Sequence, residues 1–145
     1  MVLSNLTVVC PIDFSRESSH AIRSALAIAG SPEKLHVIHV ISPTDPISPD
    51  ALLGIADDEI RLELARKQIE QLCLDHGAKG ASATVLMGDP GMQIAEYATQ
   101  HAASLIVIPS HGYHGVKRLL VGSVAERVIR YADCSVLVLR RTDAE

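Results

Sequence analysis

LIVIPSHGYHGVKRLLVGSVAE, residues 105–126, is the stretch whose reading decides the fold. Leu105-Ile106-Val107-Ile108 is a short, continuous apolar run, as expected of a parallel strand whose two faces are both covered by helices. A glycine-bearing connection follows. Then Ser123-Val124-Ala125-Glu126 reads as a capping box, in which Ser123 and Glu126 each satisfy backbone N–H groups at the start of a helix. Strand, long loop and capped helix are the parts of one crossover unit.

The same alternation extends in both directions. Downstream, Ser135 to Leu139 is a last strand. Upstream, Leu6 to Cys10 is a first strand ended by Pro11, and Ser15 is placed to cap a helix that runs to about Ala29 and stops at Gly30 and Pro32. Leu35 to Ile41 is a second strand. Ser48-Pro49 puts a cap and an N1 proline before a long helix, whose apolar positions Leu62, Ala65, Ile69, Leu72 and Cys73 recur at helical spacing, and Gly77 ends it. Ala81 to Met87 is a third strand. Asp89-Pro90 opens a helix to about His101, with Ile94 and Ala98 facing inward. Strands alternating with helical crossovers of fixed hand make a doubly wound, mostly parallel five-stranded α/β sheet with helices on both faces. No repeat or linker interrupts residues 1–145, which are expected to form one domain.

Composition narrows the function. The 145 residues are 48% apolar and 21% charged, which is the balance of a folded chain. Net charge is −4 and the 13 basic residues are scattered, so neither nucleic acid nor an anionic membrane has a basic stripe to bind. One Phe, three Tyr and no Trp leave no row of aromatics on which bases would stack. Cys10, Cys73 and Cys134 form no C-x-x-C, and core packing accounts for Cys10 and Cys134. Met1 to Asn5 carries no basic patch followed by an apolar stretch, and no run is long enough to span a bilayer, so a cytoplasmic location is expected.

In such sheets ligands bind at the carboxyl ends of the strands, where strand order reverses. After the first strand comes Pro11-Ile12-Asp13-Phe14-Ser15, without the glycine fingerprint of dinucleotide enzymes. P-loop and nucleophile-elbow motifs are also missing. The connection after the fourth strand is long, carries Gly112, Gly115 and Gly122, and ends at a helix N-terminus that favours an anion. The residues alone leave two readings open: a phosphate-binding loop, or a plain connection whose glycines serve turns and whose Ser123 is only a cap.

From Pro11-x-Asp13-x-Ser15 through His39-Val40-Ile41 and Gly88-Asp89-Pro90 to Val136-Leu137-Val138-Leu139, the chain resembles the universal stress protein family. The most specific element is the family's G-x2-G-x9-G-[ST] motif, of which Gly112 and Gly122-Ser123 match the last two parts at the right spacing. The resemblance implies a Rossmann-like fold of the adenine nucleotide alpha hydrolase-like kind, and an adenine nucleotide (ATP, or AMP or ADP, with Mg2+ as an optional companion). It places Gly112, Gly122 and Ser123 at phosphate and Asp13 and Val40 near ribose and adenine. Pro11, Ile108, Pro109, Ser110, His111, Gly115 and Val124 complete the expected site. Pro109 stands where the motif's first glycine belongs. Proline offers no N–H and adds a ring, and one lost neutral hydrogen bond costs about 0.5–1.5 kcal/mol.

Other residues have plainer roles. His111 and His114 form an H-x2-H pair without further converging metal ligands. His36 and His39 lie on opposite faces of their strand and cannot chelate together. Lys117 and Arg118 read as solvated surface, and Asp57, Asp58 and Glu59 as an exposed helix face. Val136 to Leu139 is an apolar sheet edge, which the family covers by pairing with a second subunit, so a homodimer is expected. Two functions follow: a nucleotide-responsive stress or signalling module acting on a protein partner that the sequence does not name, with at most slow ATP hydrolysis, or an interaction module of the same fold that binds no nucleotide. A phosphate-accepting receiver is excluded, because the third strand ends Leu86-Met87-Gly88 without an aspartate.

Overall fold

The computed structural model describes residues 6–43, 58–110 and 121–140. In chain order the elements are β1 (Val8–Pro11), α1 (Glu17–Ala29), a 3-10 turn (Pro32–Lys34), β2 (Leu35–Ile41), α2 (Asp58–Asp75), β3 (Ser82–Met87), α3 (Pro90–Gln100), β4 (Leu105–Pro109), α4 (Ser123–Tyr131) and β5 (Ser135–Leu139). The strands lie in the order β3-β2-β1-β4-β5 and every pairing is parallel. Strand order reverses between β1 and β4, which pair only at Val8↔Leu105 and Val9↔Ile106 and part beyond them.

Period-two alternation divides the strands between two cores. Val8, Cys10, Leu35, Val37 and Val107 pack on one face with Ile22 of α1 and Ile69 of α2. Val9, Ile38, Ile106 and Ile108 pack on the other with Ile94 of α3 and Val128 of α4. The α1 face toward the sheet is made of small residues, Ser18, Ala21, Ala25 and Ala29 beside Ile22, so helix and sheet approach closely. Cys10 and Cys73 are buried, and burial pushes both thiols up, Cys73 to about 11, so they behave as core residues. No helix among the described residues is long and apolar enough to cross a membrane.

The element order and nearly all the limits follow the sequence expectation, with small corrections at the ends. Pro11 is the last residue of β1, paired with Ile38, and does not lie outside the strand. The expected start of the long helix at Ser48-Pro49 lies outside the described residues, as does Asp57. Asp58 and Glu59 are exposed in the first turn of α2. Asp89 caps α3 by accepting from the Met92 N–H at 3.0 Å, with Pro90 at N1. Gly77, at φ +78°, follows α2 as expected.

At the amino ends of β2 and β3, the buried Tyr97 brings its hydroxyl to within 2.8 Å of His36 Nδ1 and 3.4 Å of Thr84 Oγ1. Its ring stacks on His101 at 3.8 Å. Burial, and then the neighbouring His101, hold the His36 pKa below its ordinary value. The unfolded chain therefore takes up a proton at His36 before the folded one does. Stability is full above the unfolded pKa, about 6.5, and is lost as pH falls from there through the folded value. The urea midpoint is expected to drop between about pH 7.5 and about pH 5, and His36→Gln to flatten that slope. An unchanged slope in the variant would remove His36 from this titration.

Candidate functional site

The β1 end turns in a way the sequence only partly announces. Ile12 extends the ladder by donating its N–H to the Ile38 carbonyl at 2.8 Å. Asp13 Oδ1 accepts the Ser15 N–H at 2.9 Å, closing an Asx turn, and lies 3.5 Å from Ser18 Oγ. Phe14, between them, has φ +64°, a left-handed conformation that costs a bulky residue about 1–3 kcal/mol. Its ring packs on His39 with centroids 4.6 Å apart. His39 Nδ1 in turn lies 2.7 Å from the Ile12 carbonyl and donates to it.

Ser15 does not cap α1, contrary to expectation. Its carbonyl accepts the Ser18 N–H, Arg16 holds the cap position without a side-chain bond, and the helix starts at Glu17. The Asx turn occupies the Ser15 N–H and pulls the residue away from the cap geometry. The Ser15 hydroxyl is buried without a hydrogen-bond partner. A buried group left without a partner in this way calls for an explanation at the β1 turn.

Across the reversal, β4 ends at Ile108-Pro109-Ser110. Ser110 donates its N–H to Leu139 of β5 at 2.9 Å, and its carbonyl accepts the Gly122 N–H at 2.7 Å. The start of α4 is thereby tied to the end of β4. The capping box is not made. Gly122 is the N-cap, no side chain caps the helix, Ser123 is the first helical residue and Glu126 pairs with Arg130 at 2.9 Å. A serine already inside the helix cannot reach back to the N3 donor. The N–H groups of Ser123, Val124 and Ala125 thus have no acceptor within α4.

Pro11, Asp13, Val40, Ile108, Pro109, Ser110, Gly122, Ser123 and Val124 all fall at the carboxyl edge of the sheet or at the helix start tied to it. Val40 is half-buried against the α3 and α4 core. His111, Gly112 and Gly115 lie outside the described residues, as do His114, Lys117 and Arg118. Among the described residues no three His, Cys, Asp or Glu side chains gather as a metal site requires. Sequence reasoning missed the part played by His39 and the strain at Phe14. The Asp13-x-Ser15 spacing was the available signal, since an Asp two residues before an N–H favours an Asx turn over a helix cap.

Five parallel strands in this order, with β1 and β4 parting beyond Val9 and Ile106 and a helix N-terminus fastened to the end of β4, define a Rossmann-like α/β protein whose strand reversal is the candidate ligand site. The model of the Universal stress protein family matches residues 5–140, and the chain belongs to that family. It is 32% identical over 143 residues to universal stress protein MJ0531 of Methanocaldococcus jannaschii, covering 95% of this chain and 84% of that one. Among solved structures, UspA of Lactobacillus plantarum superposes with a TM-score of 0.69 at 26% identity over 93% of this chain and 98% of that one. The Archaeoglobus fulgidus universal stress protein, solved in complex with dAMP, shares the fold with a TM-score of 0.60 at 23% identity, covering 97% of this chain and 100% of that one.

Proposed function

We propose that this chain is a nucleotide-responsive stress or signalling module that holds an adenine nucleotide, ATP or its AMP or ADP relatives, where β1 and β4 part. In this reading residues 1–145 act as one cytoplasmic domain, and occupancy alters the surface that the 112–122 connection offers a protein partner. The observation that carries the proposal is the side-chain-uncapped N-terminus of α4, fastened to β4 by the 2.7 Å Gly122–Ser110 bond. Its first-turn N–H groups and dipole suit a phosphate. The orphaned Ser15 hydroxyl and the Asp13 turn on the facing wall support a ribose or phosphate there. The dAMP complex of the Archaeoglobus fulgidus protein supports an adenine nucleotide as the ligand class.

Gly112 and Ser123 are assigned to phosphate, with Gly115 and Val124 completing the site, while Asp13 and Val40 are assigned to ribose and adenine. Gly122 has its N–H engaged by Ser110, so it serves the site as a hinge for the helix start more than as a donor. Mg2+ would travel with ATP as a companion of its phosphates.

The test is to denature fresh protein, identify any released nucleotide by mass spectrometry, and titrate the nucleotide-free protein with Mg-ATP, ADP and AMP by calorimetry. Roughly micromolar binding supports the proposal, and no heat at roughly millimolar nucleotide sinks it. Pro109 favours the second reading, an interaction module without nucleotide. Successive N–H groups of an extended strand point to opposite edges. That of Ser110 goes to β5, so the donor missing at 109 would have faced the crevice. Pro109→Gly is expected to tighten ATP binding roughly two- to tenfold. Unchanged affinity would mean that position 109 contributes no donor.

A further inference from the structure

Asp13 is held from both sides by one side chain, that of His39. On the near side, Ile12 is pinned through both of its backbone polar groups by consecutive parts of β2: its N–H donates to the Ile38 carbonyl at 2.8 Å, and its carbonyl accepts from His39 Nδ1 at 2.7 Å. On the far side, Phe14 stands at φ +64° with its ring on the imidazole, centroids 4.6 Å apart and planes at 57°. A bulky residue keeps a left-handed backbone only where its surroundings over-determine it. The imidazole supplies that support ahead of Asp13 and a directed hydrogen bond behind it. By the alternation of β2, His39 points to the α1 and α2 side while its neighbour Val40 points to the α3 and α4 side. It therefore acts from beneath the site.

We infer that His39 is the positioning residue of the candidate site, fixing the Ile12–Ser15 turn so that Asp13 meets the nucleotide in one orientation. The inference rests on the nucleotide reading for its consequence, but the positioning itself is a property of the ligand-free chain. A carbonyl cannot donate, so Nδ1 carries a proton, and replacement by a ring without a donor breaks the near-side support while keeping the far-side contact. His39→Phe is that replacement. His39→Asn restores a donor close to where Nδ1 sits.

Two readouts separate failure of the inference from failure of the nucleotide reading. The first is amide hydrogen exchange of Ser15 in nucleotide-free protein, which reports the bond from its N–H to Asp13 Oδ1 directly. The second is the calorimetric Kd for Mg-ATP. His39→Phe is expected to speed Ser15 exchange and to raise the Kd about tenfold, and His39→Asn to return most of both. A merely structural role would lower the unfolding temperature of both variants without rescue by asparagine. Unchanged Ser15 exchange in His39→Phe overturns the inference, and so does exchange that asparagine fails to restore. If wild type binds no nucleotide, the exchange result alone decides. If His39→Phe does not fold, His39→Leu against His39→Asn, two side chains of similar shape without and with the donor, separates the same outcomes by the same readouts.

Discussion

Gly91→Ala is expected to lower the thermal unfolding midpoint by roughly 2–12 °C, the equivalent of about 1–3 kcal/mol of overpacking. A Cβ at 91 would lie 2.6 Å from Arg127 Cβ and 3.1 Å from its Nε. The Nε can swing away, but a Cβ is carried by the backbone of α4 and cannot. The two helices must therefore separate, opening the core over Ile94, Tyr97, Ala125 and Val128. The Asp89–Arg127 ion pair at 2.9 Å is nearly half exposed on both sides and contributes little, so the effect is steric. Circular dichroism during heating measures it, and the double variant Gly91→Ala, Arg127→Gly should recover part of the loss, whereas Arg127→Ala, which keeps Cβ, should not. A midpoint within about one degree of wild type in Gly91→Ala would show that α4 slides freely on α3. Because α4 carries the proposed phosphate-binding N-terminus, the same variant should also weaken any nucleotide it binds.

Gly91 marks a limit of what a sequence discloses. A glycine in the first turn of a helix has several plain explanations, and the reason for this one lies thirty-six residues away, at Arg127. Features set by local pattern were legible: the apolar runs that became β2 and β4, the Asp89-Pro90 start of α3, and the inward Ile94 and Ala98. Hydrophobic period and cap chemistry act over a few residues, so they can be read in one dimension. The two serine caps failed for the same local reason in reverse. Ser15 was claimed by the Asp13 turn, and Ser123 sits one residue too far along to cap α4, whose start is fixed by the Gly122 bond to β4. Both decisions were made by contacts that compete with the cap, and the second is tertiary.

The candidate site follows that division. Its proposed place at the strand reversal came from topology, and residues 109–110 and 122–124 lie at the same carboxyl edge of the sheet as the β1 turn. The reason Asp13 is held as it is, a histidine from the neighbouring strand under a strained Phe14, was invisible. His39 read as part of the His39-Val40-Ile41 stretch and as a residue on the wrong face to chelate with His36. That statement was right about geometry, and it left the imidazole without a role until its partner on β1 was seen.

We propose that two chains pair through β5, and the largest change in assembly is then expected from Leu137→Lys, which should turn that dimer into a monomer at roughly micromolar concentration. Among the described residues β5 pairs with β4 on one side only and is the last strand of the sheet, with Leu137 39% exposed. Ile129 of α4, 49% exposed, belongs to the helix that covers the opposite face of the same edge strand. An apolar edge with unpaired backbone groups is a liability to a lone chain and a template for a second copy. Antiparallel pairing of two β5 strands about a two-fold axis would satisfy those groups and bury both leucines. Symmetry counts each substitution twice, and with 39% of each leucine left to bury about 1–2 kcal/mol of apolar burial is at stake, enough, with the cost of burying two lysine charges, to weaken association at least roughly tenfold. Sedimentation of wild type and variant decides the matter. A wild-type dimer and a folded monomeric variant fit the proposed interface, while a dimer that survives Leu137→Lys would have to use another surface. A wild type that sediments as a monomer would leave β5 as an open edge guarded only by its shortness.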